Sequence, residues 1–176
     1  GQVCVSPTRF LIHESLFEKF VEGFTARTKE ILVGNPLDEN SKMGPLIHSR
    51  RLDAISALVD DAVTEGATLN TGGSSIDGPG FFYQPTVLSN VPHSARIMQE
   101  EPFGPVAIIN SFSDYNEVIT EANRLPYGLA AFAFTDSAKR VKLLGEQLEA
   151  GMIGINSFAI SVPESPFGGI KESGHG

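Results

Sequence analysis

The chain has 176 residues, enough for one domain with a sizeable core, and its 41% hydrophobic content is that of a soluble globular protein. Its formal net charge of −8 argues against nucleic acid or an anionic membrane surface, either of which would want clustered Lys and Arg. A single cysteine closes no internal disulfide and no apolar run approaches the ~20 residues that span a bilayer, so a soluble, cytoplasmic protein is expected.

Residues 9–13 (Arg-Phe-Leu-Ile-His) read as a short buried strand. Ser15 and Glu18 have the spacing of a capping box, and Leu16, Phe17, Phe20, Val21 and Phe24 form the apolar stripe of a helix running to about Leu32. Gly34-Asn35-Pro36 breaks it. Ser49 is the next candidate cap, Leu52, Ile55, Leu58, Val59 and Ala62 the next stripe, and Gly66 its stop. Residues 67–69 begin a strand. The glycine-rich run 72–80 has neither G-x-G-x-x-G nor P-loop spacing, so it reads as a surface loop and not a phosphate cradle. Residues 81–88 resume as a strand in which Pro85 implies an edge or a bulge.

Residues 94–100 suit a short helix and 105–112 a central strand. Ser113 or Asp114 caps a helix that stops before Pro126. Residues 128–135 have the continuous apolar character of a strand covered on both faces. Asp136 or Ser137 caps the last helix, and 151–156 is the last buried strand. Strand and helix alternate along most of the chain, which predicts a three-layer α/β/α domain with a largely parallel sheet. In such sheets sites lie at the carboxyl ends of strands, which directs attention to the loops around Cys4, after Glu101 and from Asn156 to Lys171.

Cys4 is the only cysteine. A lone Cys is commonly a small buried hydrophobe, but Gly1, Gln2, Ser6 and Pro7 around this one are turn formers and poor company for a core position. A thiol presented on a tight loop can act as a nucleophile, with nearby backbone N–H groups facing an oxyanion. The four histidines, His13, His48, His93 and His175, are scattered and show no metal-ligand spacing.

Gly1-Gln2-Val3-Cys4, Glu101-Pro102-Phe103-Gly104-Pro105 and Pro166-Phe167-Gly168-Gly169-Ile170-Lys171-Glu172-Ser173-Gly174 occur in this order. Together with Gly34-Asn35-Pro36-Leu37 and Met43-Gly44-Pro45-Leu46 they resemble the aldehyde dehydrogenase superfamily over essentially the whole chain. The resemblance implies the catalytic domain from its nucleophile onward, with the dinucleotide-binding domain upstream of Gly1 and an oligomerisation tail downstream. A chain that opens at its chemistry and stops in a Gly-rich loop is also expected to be a piece of a longer protein.

The same resemblance implies a thiohemiacetal and then a thioester on Cys4, with NAD or NADP as cofactor. Glu101 would hold the nicotinamide ribose hydroxyls, and Phe103 would wall the ring. Residues 156–165 would line the aldehyde tunnel. There Phe158 would be an apolar wall, and Ser161 matches a serine that contacts the substrate carboxylate in succinate-semialdehyde dehydrogenases. The general base and an oxyanion asparagine would lie before Gly1, so these 176 residues alone are expected to be inactive. A small-molecule aldehyde is the expected partner, and the full-length protein is expected to be a homodimer or homotetramer. Three other readings stay open: a coenzyme-A-acylating aldehyde dehydrogenase, a cysteine hydrolase using Cys4 and a histidine, and a catalytically silent structural relative.

Overall fold

The strand at Val106–Phe112 (β4) is the longest of its sheet and opens with four buried residues, and the first part of the chain is built around it. The computed structural model describes residues 1–176 and divides them into two compact units, Gly1–Phe112 and Ser113–Gly176. No composition shift or linker marks that division in the sequence.

In the first unit Arg9–His13 (β1) pairs in parallel with β4, Arg9 opposite Ile108. Thr86–Ser89 (β3) pairs in parallel on the other side, and Thr68–Thr71 (β2) runs antiparallel to β3, giving the order β1-β4-β3-β2. Side chains alternate across the sheet. Val87 and Ile109 join Phe10 and Ile12 on one face, where the helix Glu14–Lys29 (α1) lays down Phe17, Phe20, Val21 and Phe24. Leu88, Val106 and Ile108 point the other way, against Ile55, Leu58, Val59 and Ala62 of the helix Ser49–Thr64 (α2). The unit is therefore three-layered, helix on sheet on helix, as expected. Burying each of these large aliphatic side chains contributes roughly 1.5–3 kcal/mol.

Several boundaries differ from the sequence reading. Both histidines that precede a helix cap it: His13 Nδ1 accepts from Ser15 N at 3.3 Å and His48 Nδ1 from Arg51 N at 3.1 Å. Ser15 and Ser49 therefore lie inside their helices, and α1 ends at Lys29 instead of near Leu32. An imidazole nitrogen accepts as a carboxylate or hydroxyl does, and local spacing alone does not choose between neighbouring acceptors. Residues 81–85 are not strand: Tyr83 forms one isolated bridge with Ser75, and β3 begins at Thr86, directly after Pro85. That strand is internal, with β4 on one side and β2 on the other, and Pro85 precedes the ladder and so removes no donor from it; the ladder with β2 does shift register, between Leu69 and Thr71. Residues 94–100 hold only a single 3₁₀ turn, Arg96–Met98.

The loop at 72–80 is structural. Gly72 and Gly73 take φ of 77° and 88°, and Gly73 N donates to Thr86 Oγ1 at 2.8 Å, fastening the loop to the start of β3. Tyr83 beneath it is buried, and its hydroxyl has no partner in hydrogen-bond geometry. Burial pushes its pKa up to about 12, the nearby Ser56 hydroxyl opposing and Asp60 reinforcing the shift. A phenol whose folded pKa lies above its unfolded value of 10 lends stability below pH 10 and loses it as pH rises from there towards 12. Tyr83→Phe should therefore flatten the fall in stability above pH 10, as read by urea unfolding at stepped pH; an unchanged alkaline slope would count against it.

In the second unit Tyr115–Ala122 (α3) is capped by Asp114, whose Oδ1 accepts from Asn116 N and Glu117 N at 2.8 and 3.0 Å. The stretch read as one strand is two: Tyr127–Gly128 (β5) and Ala130–Ala133 (β6). Ala138–Gln147 (α4), capped by Ser137, leads to Met152–Ile155 (β7), which pairs in parallel with β6. Ile170–Lys171 (β8) returns antiparallel to β5. β6 is only half-buried within this chain, not covered on both faces.

Candidate active site

Cys4 is exposed, as its turn-forming neighbours predict. It sits in a turn closed by Ser6 N donating to Val3 O at 2.9 Å, and the chain then enters β1, with Thr8 O accepting from Ile108 N. The thiol has no hydrogen-bond partner in the chain. No histidine is joined to it. His13, the nearest in sequence, is engaged by Ser15 Oγ at 2.8 Å and lies edge-on to Phe112.

Glu100 and Glu101, indistinguishable by residue type, separate in space. Glu100 takes a two-pronged ion pair from Arg96, at 2.8 and 3.2 Å. Glu101 is exposed and its carboxylate has no partner in the chain. Phe103, two residues on, is half-buried and held at φ 45°, a left-handed backbone that costs a non-glycine residue about 1–3 kcal/mol.

These two loops meet. A Cβ on Gly1 would overlap the Gly104 carbonyl, and a Cβ on Gly104 would collide with the Ile55 side chain of α2. Gln2 Oε1 accepts from Ile47 N at 3.1 Å, and Arg51 Nη1 donates to Pro102 O at 2.7 Å. The start of α2 therefore carries both loops. The Cys4 loop enters β1 and the Glu101 loop enters β4, so both stand at the amino ends of neighbouring parallel strands, not the carboxyl ends expected from the sheet rule. Gln2, Arg51 and Ile55 were not read as site residues. The only signal was indirect, a Gly-x-x-Cys and a Phe-Gly-Pro, each needing a neighbour that leaves no room for a side chain.

In the second unit the loop after β7 does leave a carboxyl end. Asn156, at φ 54°, accepts from Thr135 N at 2.8 Å and donates to Thr135 O at 2.9 Å, which fixes the direction in which the loop departs. Phe158 packs its ring against Phe132 and Phe134, with centroids 5.3 and 5.0 Å away, and is still 61% exposed. Ser161 is exposed and its hydroxyl is without a partner. Lys171 anchors the far end: its Nζ donates to Asn123 O and Leu125 O at 2.9 and 3.2 Å and pairs with Glu149. No group of His, Cys, Asp and Glu could hold a metal ion, and no helix is long and apolar enough to cross a membrane.

Glu101, with no partner in the chain, thus stands two residues before the half-buried Phe103, and one carboxylate can accept from two vicinal hydroxyls. The model of the family described as "Aldehyde dehydrogenase family" matches residues 1–176. The chain is 44% identical over 176 residues to a succinate-semialdehyde dehydrogenase of Paenarthrobacter nicotinovorans, covering all of this chain and 39% of that protein. It is 44% identical to a non-phosphorylating aspartate-semialdehyde dehydrogenase of Halomonas elongata, covering all of this chain and 36% of that one. The crystal structure of an E. coli NADP-dependent enzyme superposes with a TM-score of 0.97 at 38% identity, covering all of this chain and 37% of that one. The chain thus spans well under half the length of the relatives it matches.

Proposed function

The chain belongs to the aldehyde dehydrogenase family, and we propose from that premise that it is the catalytic-domain portion of an enzyme that oxidises an aldehyde to its acid through Cys4. NAD or NADP, the cofactors of the family's members, supplies the hydride acceptor when bound. Cys4 Sγ, as thiolate, adds to the aldehyde carbonyl carbon. The carbonyl π pair moves to oxygen, and the Cys4 backbone N–H faces the resulting oxyanion. Loss of hydride from that carbon leaves a thioester on Cys4, and water then releases the acid. Glu101 holds the ribose hydroxyls and Phe103 flanks the ring.

One observation carries the reading: Cys4 and Glu101 are both exposed and left without partners, on two loops that abut at Gly1 and Gly104. On the family resemblance alone, the working protein is proposed to be a homodimer or homotetramer.

The substrate we assign is a semialdehyde with a carboxylate at its far end. Succinate and aspartate semialdehydes, for which the two relatives above are named, share that group. The unpartnered Ser161 hydroxyl is a donor for it, with Phe158 as an apolar wall. In the full-length enzyme Ser161→Ala should raise KM for succinate semialdehyde by about tenfold, the worth of one hydrogen bond to a charged group, and leave KM for a simple aliphatic aldehyde unchanged. An equal change for both aldehydes would remove Ser161 from carboxylate recognition.

A further inference from the structure

We propose that Arg51 is a positioning residue for dinucleotide capture, acting through the peptide between Pro102 and Phe103. The inference rests on the reading of Glu101 and Phe103 given above.

Pro102 is fully buried and, being proline, has no N–H. A buried carbonyl needs a donor, and Arg51 Nη1 provides one for Pro102 O at 2.7 Å, a short, charge-assisted bond. That oxygen lies in the same rigid peptide plane as Phe103 N. Holding the oxygen fixes the plane, and the plane dictates φ at Phe103, which is 45°. Turning the plane by roughly half a revolution would carry φ from positive to negative, and would swing the carbonyl away from Arg51. The strained arrangement thus has a visible restraint, and it is this bond. Phe103 takes its φ from that peptide, and Glu101 lies immediately before Pro102 on the same loop, so releasing the bond would loosen the backbone that carries both side chains.

Arg51 is well placed to act as a fixed post. It stands in the first turn of α2, whose Ile55, Leu58, Val59 and Ala62 are packed in the core. His48 caps that turn by accepting from Arg51's own backbone N–H. Gln2 grips the adjoining residue Ile47 and so ties the same turn to the nucleophile loop.

The test uses full-length wild type, Arg51→Ala, Arg51→Lys and Glu101→Gln. Binding of NAD+ and NADP+ is measured by calorimetry, aldehyde KM by steady-state kinetics, and Cys4 reactivity by iodoacetamide alkylation without cofactor. Arg51→Ala is expected to raise the dinucleotide Kd about tenfold to a hundredfold, the range for a lost hydrogen bond to a charged group. Aldehyde KM and alkylation rate should stay within about twofold, and Arg51→Lys, which keeps one donor and the charge, should recover part of the affinity. An unchanged Kd, or parallel losses in all three readouts, overturns the proposal. If Arg51→Ala is insoluble, Arg51→Lys decides on the same criteria, with a selective loss of dinucleotide affinity expected. Glu101→Gln separates the two layers. If it leaves Kd unchanged, the ribose reading fails. If it weakens binding while the Arg51 variants do not, the positioning role alone fails.

Discussion

Cys4→Ser in the full-length enzyme is expected to lower aldehyde-dependent reduction of NAD+ or NADP+ by on the order of 10³-fold or more, about 4 kcal/mol in the barrier. The reason lies in what surrounds the residue. A serine hydroxyl is a weak nucleophile near neutral pH unless a base takes its proton, and no base is bonded to position 4 in this chain. A thiol ionises far more readily, so cysteine acts there without a dedicated partner. The assay follows cofactor absorbance with succinate semialdehyde, an aliphatic aldehyde and benzaldehyde, with and without coenzyme A. Wild-type turnover that needs coenzyme A would identify the acylating variant of the reaction. Thioester hydrolysis without any dinucleotide would identify a hydrolase. Full activity in Cys4→Ser would refute Cys4 as the nucleophile.

The second large effect is steric. Gly104→Ala places a methyl group on the Ile55 side chain at the point where the Glu101 loop rests on α2. Gly104 has an ordinary negative φ, so alanine brings no backbone strain there and the penalty is overpacking, about 1–3 kcal/mol. Ile55 is completely buried, and Ile55→Ala alone should cost about 2–5 kcal/mol. The two changes touch the same atoms. In the double variant the new methyl enters the space the isoleucine vacates, and the combined loss should fall short of the sum by about 0.5–3 kcal/mol. Urea midpoints at constant m-value measure this. Simple additivity would mean that the loop rides free of α2. The Arg51 bond to Pro102 would then have little to hold in place.

The layered α/β class, nearly every helix stripe and the central place of β4 were legible in the sequence, because burial on one face imposes a period of 3.6 or 2 that survives any tertiary arrangement. Ile55, Leu58, Val59 and Ala62 announce α2 in this way. So were the turn-forming neighbours that leave Cys4 exposed and the motifs that place the chain in its family. Which polar groups are left over was not legible, even where the partner is close in sequence. Glu100 and Glu101 are the same residue side by side, and only the reach of Arg96 commits one and frees the other. His13 and His48 became caps because their rings happen to lie over an open helix end. The bond from Arg51 to Pro102 spans 51 positions, and no local pattern encodes a contact between segments so far apart. The same holds for the site's place at the amino ends of β1 and β4. A strand's own residues set its period, whereas its neighbours in the folded sheet decide which loops come together.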